Sequence, residues 1–412
     1  MFDELNLEVW DNLLLAFEYI YEFAPIWLPI FFISLAFKAW LNYKRAAYWQ
    51  EESSVLLEIK LPREIHKSPA AMEVVLNSLH QTGKEGTWWD RIRKGQTRAR
   101  FSLEIVSLEG KIRFFIWTQP THRNAIETHI YSQYPEVEIY EVKEDYAKSF
   151  VYNPETISMW VAEFALTGPD PLPIKTYIDY GLDKDPKEEY KIDPMTPLLE
   201  FLGSITSGQN VWIQILIRAH KKRRILDVFK EKEDSWKNEA ENEVKKILDK
   251  LKEEGGGTFP RVMTDEEKNK MTALQRSVSK YPFDCGIRAI YITEKDKFVP
   301  SNIGGTLGAV KQFGSPGSNG FKPKGWMIDF DYPWQEWFNS KDKLKAKALE
   351  EYKLRRYFYS PYLGKKYHSA KPFVLNTEEL ATIFHFPGEV AATPTLEKIP
   401  SLKSQAPSNL PI

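Results

Sequence analysis

From Phe23 to Phe37 the chain reads FAPIWLPIFFISLAF, with no charged side chain and Ser34 as its one polar residue. Lys38 can snorkel, so Ala39, Trp40 and Leu41 extend the apolar run to about 19 residues, enough for one helix to cross a bilayer. Residues 13–22 are also apolar in part but carry Glu18 and Glu22, which places the N-terminus, residues 1–22, at the interface or outside it. Beyond residue 50 the period changes. Val55–Leu61 reads as a strand ended by Pro62, and Pro69–His80 as a helix that starts on proline. Arg100–Ser107 and Lys111–Thr118 read as a hairpin joined through Leu108, Glu109 and Gly110. Pro120–Tyr131 follows as a helix and Val137–Val142 as a last strand. The order β-α-β-β-α-β is the split βαβ of ferredoxin-like domains.

A second pass of the same pattern starts with Ile174–Asp179 as a strand and Pro194–Gly203 as a helix. In Gln209–Ala219, Val211, Ile213, Ile215 and Ile217 alternate with the other face, as a strand requires. Gly286–Thr293 supplies the next strand and Val299–Phe313 a glycine-rich helix, with Asp329–Tyr332 closing the sheet. Between these halves the charged run 221–254 and the segment 264–281 read as helices separated by Gly255–Gly257. Ile225, Val228, Phe229, Trp236, Val244, Ile247, Leu248 and Leu251 give the run one apolar face. That face suits packing on a partner helix, or an oligomerisation or partner-binding arm. The expected fold is α+β: a transmembrane helix at 23–41, a ferredoxin-like module at 50–150, and a second at 170–335 with a helical insertion at 221–281. C-terminal helices at 341–385 and a proline-rich linker or tail at 386–412 complete it.

Charge sets the expected orientation. Asp3, Glu4, Glu8 and Asp11 precede the apolar run, whereas Lys38, Lys44 and Arg45 follow it, so the positive-inside rule leaves the short N-terminus outside and the bulk cytoplasmic. An acidic start is unlike the basic n-region of a cleaved signal. Trp27, Trp40, Tyr43, Tyr48 and Trp49 suit interfacial anchoring. Pro25 and Pro29 also fit a buried helical hairpin of a soluble protein, the competing reading. A net charge of -1 gives no global attraction to nucleic acid, and the single cysteine, Cys285, excludes an internal disulfide.

Chemistry-bearing patterns are sparse. Gly304, Gly305 and Gly308 lack the GK[ST] ending of a phosphate loop, and the seven histidines form no HExxH. His122 and His129 share one helix, where surface or sheet contact is the simpler reading, and Cys285 reads as a structural thiol. No catalytic, cofactor-binding or metal-binding residue is assigned, and no cofactor is expected. The candidate contacts to nucleic acid or lipid are basic clusters: Trp88, Trp89, Arg91, Arg93, Lys94 and Arg98, beside Arg100, and Lys221, Lys222, Arg223 and Arg224 after His220. Asp284, Asp329 and Asp331 are the only carboxylates whose placement suggests a metal-dependent enzyme at a groove between the modules.

LLEIKLPREIHKSPAAMEVVLNSLH, the strand pair closing on YPEVEIYEV, and KPFVLNTEELATIFHFPG followed by TPTLEKIPSLKSQAPSNLP together resemble a known family. It is the N-terminal, non-motor region of type IV secretion- or conjugation-like, membrane-linked DNA-translocating ATPases, in uncharacterised forms from small-genome bacteria. The chain contains no GxxxxGK[ST], so no catalytic residue of that family maps onto it. The resemblance implies a single-pass inner-membrane scaffold or docking subunit without its own motor. Its implied partners are the lipid bilayer, a RecA-like ATPase or secretion-system subunits, and further copies of itself. A single-stranded nucleic-acid-binding module and the metal-dependent enzyme are the alternatives.

Overall fold

The computed structural model describes residues 18–19, 21–62, 65, 67–82, 86–183, 192–221, 235–254, 261–324, 341–358, 371–388 and 398–399. The apolar run lies within helix α1 (Ala24–Glu51), 28 residues and so about 42 Å long. Proline at its first turn is compatible with helix, and none of its residues is buried. It is long and apolar enough to cross a membrane, and the absence of burial removes the support for a buried hairpin.

Two compact units divide the chain. One draws on Met1–Glu52, Glu85–Thr97 and Ser360–Lys365; the other on Ser53–Lys84, Arg98–Tyr359 and Lys366–Ile412. The second unit opens with β1 (Val55–Pro62) and α2 (Pro69–Leu79), whose Ser68 cap accepts a hydrogen bond from the Ala70 amide. The first unit contributes α3 (Trp88–Arg93). Then come β2 (Phe101–Leu108), β3 (Lys111–Thr118), α4 (Pro120–Gln133), β4 (Glu138–Glu141) and β5 (Ile157–Leu166). After α5 (Thr196–Gly203) and β6 (Gln209–Ala219), α6 (Ser235–Glu254) and α7 (Asp265–Ser279) precede β7 (Pro282–Glu294). The chain continues through α8 (Ser301–Lys311), β8 (Phe321–Lys324), α9 (Lys341–Lys353), β9 (Phe373–Asn376), α10 (Thr377–Ile383) and β10 (Lys398–Ile399).

All ten described strands join one sheet in the order β10-β1-β3-β2-β6-β7-β5-β8, with β4 also on β1 and β9 on β7. Every pairing is antiparallel except β1 with β10. The β2–β6 register runs unbroken from Phe101 opposite Ile217 to Leu108 opposite Asn210. Both faces are covered, which is why the central strands are nearly continuous apolar runs. On one face Leu57, Leu103, Ile213 and Ile287 share a core with Met72, Val75, Ile126, Leu199 and Val310 of the helices. On the other, Leu56, Val106, Phe115, Trp212 and Ile290 cluster with Ala348, Leu349 and Tyr352 of α9.

One expectation changes, and two strands appear that the sequence pattern did not mark. Ile174–Asp179 is not a strand: apart from an isolated bridge between Ile174 and Asn319, the segment turns. The Thr176 amide and hydroxyl both donate to Asp179 Oδ2, at 2.8 and 3.2 Å, and this local closure wins over extension. The strand in that part of the sheet is β5, whose ISMWVAEFAL is buried on both faces and therefore shows little alternation. The short β9 was likewise absent from the sequence reading. Asp329–Tyr332, residues 222–234, Gly255–Gly257 and the tail except 386–388 and 398–399 lie outside the described residues; β8 pairs with β5 on the side away from β7.

Candidate functional site

The basic-aromatic segment forms α3 and its flanking turns. Thr87 caps the helix: its Oγ1 accepts from the Asp90 amide at 3.3 Å, while Asp90 Oδ2 accepts from the Thr87 amide at 3.1 Å. Hydrogen bonds from Thr87 and then Lys94 hold the Asp90 carboxyl down at about 2. Trp88 and Trp89 stand 53% and 58% exposed, their ring centroids 6.0 Å apart. Arg91 and Arg93 occupy the last turn, with Lys94 3.1 Å from Asp90. Gly95 ends the segment at φ +72°, where a Cβ would lie 2.4 Å from the Lys44 carbonyl of α1. Two residues on, Thr97 accepts a hydrogen bond from Trp49 Nε1 at 3.1 Å. The segment is thus fixed to the last two turns of α1.

Arg98 does not join this cluster; it belongs to the other unit. Its Nη1 donates to the Ala219 carbonyl at 2.6 Å and lies 3.4 Å from Asp284. Arg218 Nε and His220 Nδ1 meet the same carboxylate at 2.8 and 2.6 Å, and the Arg218 guanidinium lies over Phe358. Burial opposes ionisation of Asp284, but the His220 hydrogen bond and the charges of Arg218 and Arg98 outweigh it and hold its pKa below the ordinary value. Asp284 is therefore a partner for cations of this chain. Asp329 and Asp331 lie outside the described residues, as do Lys222, Arg223 and Arg224; Lys221 is exposed. Among the described residues no group of three or more His, Cys, Asp or Glu could hold a metal ion.

Gly304, Gly305 and Gly308 lie within α8, not in a phosphate-cradling loop. Gly305 meets the Phe201 ring, which a Cβ would approach to 2.2 Å; nothing lies within 4 Å of the Cβ positions of Gly304 and Gly308. His122 is buried edge-on to Phe101, and burial pushes the Cys285 thiol well up.

One buried polar network among the described residues was missed by sequence reading. Glu104, in β2, accepts from Arg355 Nε and Nη2 at 3.0 and 3.1 Å, Ser102 Oγ at 2.6 Å, Gln214 Nε2 at 2.7 Å and Tyr146 Oη at 2.8 Å. Arg355 also pairs with Asp145, and Arg288 donates to Gln214 and to the Glu351 carbonyl. A glutamate within FSLEIVSL, flanked by strand-forming apolar residues, was the one available sequence signal. Nearby, Leu108, Phe150, Ile157, Ile292, Lys111 and Glu294 help line a groove of about 510 Å³.

Residues 41–398 match a family described as a domain of unknown function (DUF8128). The match opens where the apolar run of α1 closes. No curated protein matches the chain.

Proposed function

This chain belongs to the DUF8128 family, and we propose that it is a membrane-anchored scaffold or docking subunit of a type IV secretion- or conjugation-like translocation machine. The observation that carries the tether is α1, apolar and unburied, with Lys38, Lys44 and Arg45 in its C-terminal half. In this reading α1 crosses the inner membrane once, with residues 1–22 outside and the sheet in the cytoplasm. A RecA-like ATPase supplies the motor, and copies of the chain assemble around it.

The scaffold itself reads as two ferredoxin-like halves. β1-α2-β2-β3-α4-β4 has the spatial order β4-β1-β3-β2, and β5-α5-β6-β7-α8-β8 has β6-β7-β5-β8. Both run fourth, first, third, second, and the second strand of each half, β2 and β6, forms the seam. The hairpin α6–α7 is an insertion between two paired strands of the second half.

Cysteine accessibility in intact cells tests the tether. Cys285 is buried and gives little background. A reporter cysteine near residue 5 should label with an impermeant maleimide, and one at Lys347 should not. The opposite pattern inverts the topology, and full-length protein that is soluble without detergent rejects the tether. The scaffold role is tested by co-reconstituting the chain with RecA-like translocation ATPases encoded in the same genome. Stable complexes with stimulated ATP hydrolysis are expected; no complex with any of them overturns it.

A further inference from the structure

We infer that α3 is a foot on the membrane surface: Trp88 and Trp89 enter the headgroup layer of the leaflet from which α1 emerges, and Arg91, Arg93 and Lys94 contact anionic lipid phosphates. The inference rests on the membrane reading of α1 and adds a second point of attachment to it.

Direction is the first support. Thr97 lies at Trp49 and Gly95 at Lys44 and Arg45, so moving back along the segment moves back along α1 toward its apolar part. Two residues of the segment span about five of α1, roughly 7 Å of helix rise. α3 precedes both contacts in the chain and itself packs against α1, whose apolar run ends at Leu41. Fixation is the second. The Thr87–Asp90 capping box and the close approach of Gly95 to the Lys44 backbone hold the two tryptophans in place without a long tether.

Chemistry is the third. Two adjacent tryptophans more than half exposed are an unfavourable use of surface in water, whereas indoles are enriched at membrane interfaces. Residues 88–94 carry three bases, Arg91, Arg93 and Lys94, and one acid, Asp90, a formal charge of plus two. α1 contributes Lys44, whose ammonium lies 4.9 Å from the Trp40 ring centroid, at the same level. Each basic side chain near an anionic leaflet contributes about 1 kcal/mol of attraction. A nucleic-acid strand could use the same residue types, but the position beside the apolar end of α1 favours lipid.

The test uses the full chain in vesicles of phosphatidylcholine, with and without about one third phosphatidylglycerol. The fluorescence of Trp88 and Trp89 is isolated by subtracting the spectrum of a Trp88→Phe/Trp89→Phe variant. In anionic vesicles this component should shift to the blue, lose acrylamide quenching and gain quenching by brominated lipid. Arg91→Gln/Arg93→Gln/Lys94→Gln should reverse those changes while α1 stays inserted. If alkaline carbonate extracts the protein, the tether fails and the foot with it. If the protein resists extraction but the pair remains open to acrylamide, the foot alone is overturned. Protection of the pair only when a single-stranded oligothymidine is added also overturns it, in favour of nucleic acid.

Discussion

Glu104 and Arg355 are 0% and 1% exposed, and Arg355 is the one cation bonded to the Glu104 carboxylate among the described contacts. Arg355→Met should lower stability by about 3–5 kcal/mol, read as the urea midpoint of the full chain in detergent, because it strands a buried carboxylate. Glu104→Gln/Arg355→Met should lose much less than that single change. Glu379 has the opposite electrostatics. It is wholly buried and accepts from the Ile174 and Asn376 amides at 3.0 and 2.9 Å, yet burial dominates and lifts its pKa from 4.5 to about 8. The folded chain then holds a proton that the unfolded chain releases, so stability falls as pH rises from about 4.5 to 8. Asp170, raised by burial from 3.8 to about 6, acts in the same sense between those values. Glu104, Asp193 and Asp284, whose ion pairs and hydrogen bonds overcome burial, have lowered values, and their contribution is lost as pH falls below the ordinary carboxylate range. The thermal midpoint should therefore peak near pH 5, within about a unit. Glu379→Gln should flatten the alkaline slope while costing about 1 kcal/mol at the peak, because one backbone donor loses its acceptor. A midpoint that keeps rising from pH 5 to 8 would contradict this assignment.

At the scale of single elements, α8 separates two uses of glycine within one helix. Gly305→Ala drives a methyl into the Phe201 ring and should cost about 1–3 kcal/mol. Gly304→Ala and Gly308→Ala meet nothing within 4 Å and should each gain about 0.5–1 kcal/mol by helix propensity. Denaturant midpoints of the three variants decide it, and a uniform effect would be wrong for this packing. Sequence periodicity could place α8 but could not rank its glycines, because the ring at Gly305 comes from α5. The same limit explains the other gains and losses. β1, β2, β3 and β6 were legible where Pro62, the Glu109–Gly110 turn or a clear alternation marked them. β5 was passed over because a strand buried on both faces has little period to detect, and Ile174–Asp179 was misread because a side-chain-closed turn can look apolar and extended. Of the candidate contacts, Trp88 to Arg93 share one helix, with Lys94 at its C-cap, as sequence proximity suggested. Arg98 went elsewhere, since its partners Ala219 and Asp284 are distant in sequence.

Across the whole molecule, the unbroken β2–β6 and β6–β7 registers make the middle of the sheet the part least open to solvent. Among β1 to β8, amide exchange should be slowest in β6 and β7 and fastest in β4 and β8, the four-residue strands at β1 and β5. If β1 to β4 instead exchanged together, well ahead of β5 to β8, the seam would not couple the halves. The pairing of Glu104 with Arg355 also has a consequence in time. The two residues are 251 positions apart, so a ribosome adding 5–20 residues per second needs roughly 13–50 s to deliver the arginine after the glutamate. Throughout that interval β2 carries a carboxylate that Ser102, joined by Gln214 once it follows 110 residues later, can solvate only in part, and the apolar face meant for α9 lies bare. Newborn chains are therefore expected to be most vulnerable to aggregation just before α9 and Arg355 emerge, and a chaperone that holds exposed sheet would find its longest opportunity there.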